Sequence, residues 1–255
     1  MAHHFIVPPE QVGAGEVIIT GSDLEHLVRV LRLKPGALFT VSDGCGSVYR
    51  CLLREITKDK AIGTIQEAGP GDSEPPIRLA LLQGLPKGDK LELIIQKATE
   101  LGVAEVFPIA MERSVVKLSR DKAENRVVRW QRIALEAAKQ CRRNRAPVIH
   151  PVMTLAGALD VLPPETRVLV PWEDEKARGI RAVLNSPACK GAGSIALVIG
   201  PEGGMTGAEV QLAAERGAMS VSLGRRILRT ETAAIAALAL IMYELGDLGG
   251  RGIDG

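Results

Sequence analysis

The chain of 255 residues is poor in aromatic rings, cysteine and histidine, and each shortage removes a class of chemistry. Aromatic residues make up 3% of it, too few for the stacking platforms with which RRM and OB folds hold bases. Any RNA would have to be held through phosphates, backbone amides and arginine planes. Four cysteines, Cys45, Cys51, Cys141 and Cys189, form no CxxC pair and no Cys/His spacing suited to zinc, so they read as reduced thiols and no metal is expected. Of the four histidines, His3 and His4 stand at the start, and the isolated His26 and His150 read as structural. Chemistry must rest on other groups. No apolar run reaches the length of a membrane span, and Met1-Ala-His-His-Phe5 lacks both a basic region and an apolar one, which predicts a cytoplasmic protein.

What remains is a globular composition, 46% hydrophobic and 24% charged, at a length that predicts two domains. The net charge of +2 conceals a local excess. Residues 73–150 carry 15 basic against 9 acidic groups, and from Met111 to Arg145 the ratio is 11 to 4. Such a stripe can neutralise several phosphates, which makes nucleic acid the natural partner, against the plainer alternative of a solvated helix face.

Up to Glu67 the pattern is of short strands, expected at Phe5–Val7, Val17–Thr20, Leu38–Ser42, Ser47–Ile56 and Ala61–Glu67, with a hairpin at Asp43-Gly44 and Gly46. One helix interrupts them, expected to open with Ser22 and Glu25 as a capping box and to carry Leu24, Leu27, Val28 and Leu31 inward. Residues 1–72 therefore read as a small β-rich domain, and Gly69 to Pro76 as a linker unable to continue a strand. Over 73–255 short apolar strands (79–83, 106–109, 168–170, 195–199, 220–223) alternate with helices (89–101, 121–141, 207–216, 230–245), the signature of an α/β domain with a mostly parallel sheet. Val127, Trp130, Ala134, Ala137 and Cys141 give the 121–141 helix one buried stripe. The last helix is apolar all round from Ala233 to Met242, which predicts cover on more than one side, by the core and by a second subunit.

Three strand ends could carry chemistry. The strand ending at Gly200 runs through Pro201, Glu202, Gly203 and Gly204 into a helix that Thr206 and Glu209 should cap as a box. The glycines match neither GxGxxG nor a phosphate loop, and Glu202 would repel a phosphate, whereas it suits a cationic or hydrogen-bond-donating ligand. The strand ending at Leu223-Gly224 leads through Arg225, Arg226 and Arg229 to a helix with Thr230 as its expected N-cap. A third ends at Val170-Pro171-Trp172-Glu173. All three could converge on one pocket at the carboxyl edge of the sheet. A catalytically silent RNA-binding assembly factor would need no such loops, and an enzyme with a nucleotide cofactor would need a phosphate-binding glycine pattern that is absent.

These residues resemble a known family. Gly200-Pro-Glu-Gly-Gly together with Leu223-Gly and Ile227-Leu-Arg-Thr-Glu-Thr-Ala233 resembles the uridine-N3 methyltransferases of small-subunit ribosomal RNA, the RsmE family of the SPOUT class. Lys97 to Val103, Arg129-Trp130, Glu136 to Arg143 and His26 to Gly36 support the match over essentially the whole chain. At the start the chain departs from the pattern, with His3 and His4 where a basic Arg precedes the aromatic. The resemblance implies a PUA-like RNA-binding barrel over 1–72 and a SPOUT domain over 73–255, with a trefoil knot, a homodimer and S-adenosylmethionine as cofactor. The implied substrate is 16S ribosomal RNA, free or in an assembled subunit. The implied cofactor site comprises Pro171, Trp172, Gly200, Pro201, Glu202, Gly203, Leu223, Gly224, Ile227, Leu228, Arg229, Thr230, Thr232 and Ala233. RNA contacts are expected from Arg29, Arg32, Arg113, Lys117, Arg142, Arg143, Arg145, Arg225 and Arg226. For the implied chemistry Arg229 is the expected stabiliser of a uridine anion, since an arginine stays charged, and Glu202 or Glu231 the expected proton acceptor.

Overall fold

The structure, a computed structural model, describes residues 3–116 and 118–250. The chain divides into two compact units, one of residues 1–74 with 138–146, the other of 75–137 with 147–255.

In the first unit strands β1 (His3–Ile6), β2 (Glu16–Ile19), β3 (Leu38–Ser42), β4 (Ser47–Ile56) and β5 (Ala61–Pro70) form one curled sheet in the order β1-β3-β4-β5-β2. Only β1 and β3 run parallel. Phe5, Val17, Ile19, Phe39, Val41, Cys51 and Leu53 alternate inward from these strands, and Leu24 and Leu27 close the core. The hairpin forms where Asp43 and the two glycines stand: Asp43 Oδ1 accepts from the amides of Cys45, Gly46 and Ser47 at 2.7, 3.0 and 3.1 Å, and Gly44 and Gly46 take positive φ. Burial pushes the Asp43 carboxyl up, but these amides outweigh it and hold it below its ordinary range.

Two expectations fail here. Strand β5 runs on through Gly69 and Pro70, paired with Val48 and Ser47, although the linker was expected to begin there. Pairing with β2 ends at Thr64, so beyond it β5 is an edge strand that can accept a proline. The helix α1 (Gly21–Glu25) starts at Thr20, with no side-chain cap and no box between Ser22 and Glu25. It passes into a π turn at His26–Val30 that turns Val28 outward, and Arg32 follows at φ 52.

In the second unit β6 (Arg78–Gly84), β7 (Glu105–Ile109), β8 (Val148–Ile149), β9 (Arg167–Pro171), β10 (Ser194–Ile199) and β11 (Met219–Val221) form a six-stranded sheet in the order β11-β9-β10-β6-β7-β8, parallel throughout. Alternate residues serve opposite faces. Leu79, Leu81, Leu169, Ile195 and Leu197 pack with α2 (Lys90–Glu100), α3 (Arg120–Gln140), α5 (Ile180–Leu184) and α7 (Thr230–Glu244). Ala80, Leu82, Val168, Val170, Ala196 and Val198 pack with α4 (Leu155–Asp160) and α6 (Gly207–Glu215). Cover on both faces explains why the central strands read as continuous apolar runs. Helix α3 buries Trp130, Ala134 and Ala137 as expected, while Val127 and Cys141 are only half-buried.

Helix α7 has the core as one of its expected covers. Ala234, Ala237, Leu238, Ile241 and Met242 all lie in the core, so a single unit already accounts for most of its apolar character. Leu240 at 44% and Tyr243 at 62% are the exposed members. Among the described residues no helix is long and apolar enough to cross a membrane. His26 stands edge-on to Phe5, and His150 stacks on Phe107 and bonds to Glu105, which gives both internal histidines structural tasks. All four cysteines are free thiols.

Candidate active site

The carboxyl ends of β9, β10 and β11 deliver their loops to one cavity of about 380 Å³, within the size range of small-molecule sites. Pro171, Trp172 and Glu173 enter from the first loop, Gly200 to Met205 from the second, and Ser222 to Thr230 with Ala233 from the third. Every residue expected to hold the cofactor lines this cavity except Thr232, which is exposed on the outer side of α7 and outside the lining. Arg225 and Arg226, expected to touch RNA, stand in the lining as well. Glu173, Ile199, Gly204, Met205 and Ser222 complete it; the sequence placed Glu173 and Gly204 in the candidate loops, but none of the five among the cofactor or RNA contacts. Their position directly beside the marked glycines and Trp172 was the available signal.

The loops are fixed from behind. Thr230 was expected to cap α7, but the N-cap is Arg229, and Thr230 turns its hydroxyl across the sheet instead. It donates to Gly200 O at 2.6 Å and accepts from Gln83 Nε2 at 2.9 Å, so the second and third loops are joined to the end of β6. Gln83 is fully buried and gave no sequence signal, because a single glutamine in an apolar strand has no motif. The expected capping box at Thr206 and Glu209 is present in full. Glu209 also accepts from the amide of Glu112 at 2.9 Å, which holds the Met111–Ser114 turn against the second loop. There Arg113 Nη1 donates to Gly203 O at 3.0 Å, and a Cβ on Gly203 would stand 2.9 Å from Arg113 Cβ. Gly203 is thus required by Arg113 packed behind it, whereas the sequence had suggested the close approach of a ligand.

Charge is unevenly committed. Glu202 accepts from Lys90 Nζ at 2.8 Å and from the amide of Lys87 at 3.1 Å. Burial raises its pKa, but the Lys90 bond and the amides prevail and hold it below the ordinary carboxylate range. A carboxylate so held is a poorer proton acceptor, and its bonds tie the second loop to the start of α2. Glu231 lies 3.7 Å from the same lysine and outside the cavity lining. Arg225, Arg226 and Arg229 line the cavity, and their side chains make no hydrogen bond or ion pair with any described residue. The first loop is braced by Glu175, which accepts from Ser220 Oγ at 2.7 Å and from the amides of Ala177 and Arg178, and whose pKa is held down to about 2 by these bonds.

The expected RNA contacts separate. Arg29, Arg32, Arg142 and Arg145 are exposed on the first unit, and Arg113 on the second. Lys117 lies outside the described residues. Arg143 corrects the expectation: it is 4% exposed and its guanidinium bonds Glu74 Oε2 at 2.6 Å, while the amides of Asn144 and Arg145 donate to Glu74 Oε1. It is a structural residue of the first unit.

The family models for the RNA methyltransferase domain and for the RNA methyltransferase PUA domain match residues 73–242 and 19–66 respectively. The chain is 39% identical to the ribosomal RNA small subunit methyltransferase E of Bacillus subtilis over 89% of each chain. The chain belongs to this family. It is an RNA methyltransferase with a PUA-like first domain and a methyltransferase second domain. A second relative, the methyltransferase E of Synechocystis, is 40% identical, over 94% of this chain and 77% of the relative. The crystal structure of the Neisseria gonorrhoeae methyltransferase E, bound to S-adenosyl methionine, superposes with a TM-score of 0.86 at 33% identity, over 97% of this chain and all of that one.

Proposed function

We propose that the protein transfers a methyl group from S-adenosylmethionine to N3 of a uridine in 16S ribosomal RNA, with the first unit as RNA-binding domain and the second as catalytic domain. The observation that carries the reading is the convergence of three strand-end loops on one cavity, with Arg229 in its wall and unpaired. The lining fits the cofactor chemically: Leu223, Ile227 and Leu228 offer an apolar wall, the glycines offer peptide groups, and arginines and a carboxylate suit a ligand with charges of both signs. When bound, the cofactor supplies a methyl already activated on a sulfonium, so the protein's main task is alignment. Uridine N3 must also lose a proton, and the charge left behind spreads to two carbonyl oxygens. Arg229 stabilises that charge and so lowers the cost of ionisation. With Glu202 held by Lys90, the N3 proton passes to solvent.

Arg29, Arg32, Arg142 and Arg145 hold phosphates in this reading, with Arg225 and Arg226 at the cavity. The chain end, from the third loop into α7, is tucked through a loop as a trefoil knot, a reading supported by the burial of Thr230 between the ends of β10 and β6. Two subunits pair over the exposed side of α7, where Leu240 and Tyr243 need cover, and the protein works in the cytoplasm. The test is mass mapping of nucleosides in small-subunit RNA from a strain lacking the gene. N3-methyluridine should vanish and return on complementation. An unchanged nucleoside profile would refute the proposal.

A further inference from the structure

The cavity is electrically polarised by what its charged groups leave unpaired. Two carboxylates line it. Glu202 is neutralised by Lys90 at 2.8 Å, but Glu173 makes no hydrogen bond or ion pair with any described residue. Its position is defined all the same: a Cβ on Gly204 would stand 3.6 Å from Glu173 Oε1, so the first loop brings this carboxylate against the backbone of the second. Arg113 Nη1 would stand 3.9 Å from the same Cβ and donates to Gly203 O; it forms no ion pair with Glu173. The third loop contributes Arg225, Arg226 and Arg229, equally uncommitted. An unpaired negative charge on one loop thus faces the site together with three unpaired positive charges on another.

We propose that Glu173 is a specificity-determining residue that reads the positive charge of the sulfonium cofactor and so separates S-adenosylmethionine from its spent thioether product. This rests on the reading of the cavity as the cofactor site. Methyl transfer removes the sulfonium charge, since the S–CH3 bond breaks with its electron pair left on sulfur. Every other group of the cofactor is unchanged. A carboxylate in the wall of the cavity therefore favours the reactant over the product through Coulomb attraction, against the opposite bias of the three arginines. At separations of several Å in a cavity open to water, one charge pair corresponds to about a three- to tenfold difference in affinity. The consequence is easier product release, gained without any moving part.

Calorimetry on the full-length protein and on Glu173→Gln, with S-adenosylmethionine and S-adenosylhomocysteine, tests this. The substitution is nearly isosteric at an exposed and unpaired position, so the melting temperature should not change. Affinity for S-adenosylmethionine should fall about three- to tenfold and that for S-adenosylhomocysteine by less than about twofold. The preference for the cation should differ between the two proteins most at low salt, and that difference should shrink as salt rises. Equal losses on both compounds would overturn the proposal, because Glu173 would then contact a part they share, and so would no loss on either. Unaltered protein that binds neither compound would instead remove the cofactor reading beneath it.

Discussion

The two edges of the six-stranded parallel sheet use charge in opposite ways. At the amino edge Arg78, the first residue of β6, bonds Glu105, the first of β7, through Nε at 2.8 Å, and His150 Nε2 lies 2.8 Å from the same carboxylate. Burial raises the pKa of Glu105, but these bonds outweigh it and hold the group below its ordinary range. Arg78, Glu105 and His150 are thus spent on one another. At the carboxyl edge Glu202 is likewise bound, to Lys90, but Arg225, Arg226, Arg229 and Glu173 are not. The lesson concerns which charged groups carry function: neither number nor local density identifies them, but the absence of a partner at a place where a cavity lies open. The basic stripe from Met111 to Arg145 makes the same point. Arg129 is spent on Glu92, Arg120 on Glu124, Lys139 on Asp23 and Arg143 on Glu74.

The contrast can be tested by substitution. Removing an unpaired cavity charge should have the largest effect, and Arg229→Ala should lower turnover about 10²- to 10³-fold in single-turnover assays while the melting temperature changes little. Arg143→Ala, at a paired and buried position, should cost about 3–5 kcal/mol of stability by leaving Glu74 without its cation, seen in denaturant unfolding of the first unit. Arg142→Ala with Arg145→Ala should leave the fold intact, weaken RNA binding uniformly across sequences and lower the salt slope by about one unit per lost phosphate contact. Arg78→Ala, at the amino edge, should cost about 1 kcal/mol and leave turnover unchanged, because Arg78 itself is half exposed and Glu105 keeps His150 as a partner.

Glu175 sharpens the contrast through pH. Its pKa is depressed from 4.5 to about 2 in the folded state, so its contribution to stability is complete above about pH 4.5 and is lost as pH falls toward 2. Thermal unfolding of Glu175→Gln over that interval should therefore fall less steeply with acid than that of the unaltered protein.

Much of this was legible in the residues, and the failures have identifiable causes. Strand, glycine turn and helix follow one another in the chain, so the loops after β9, β10 and β11 could be read from local order, and the parallel topology brings such strand ends together. Partnership over long sequence distances could not be read this way. Arg143 looked like its neighbours until Glu74, 69 positions away, was seen to bind it. Thr230 had every local mark of a helix cap, but Gly200 and Gln83, 30 and 147 positions away, claim its hydroxyl. Gly203 looked like a place for ligand approach because Arg113, 90 positions earlier, is absent from its local context. The winding of α1 into a π turn had no local signal, since Val28 fits an ordinary helical stripe as well as Leu27 does.

The most direct test of the central claim, that an unpaired arginine at the carboxyl edge acts on the uridine anion, is the single-turnover rate of the unaltered protein and of Arg229→Lys as a function of pH. A lysine keeps the charge but lacks the planar fork, so the variant should bind RNA normally and, at saturating cofactor, be slow at neutral pH. Its deficit should narrow steadily as pH rises and more uridine N3 ionises unaided. A deficit that stays constant across pH, or that lies wholly in RNA binding, would contradict the claim.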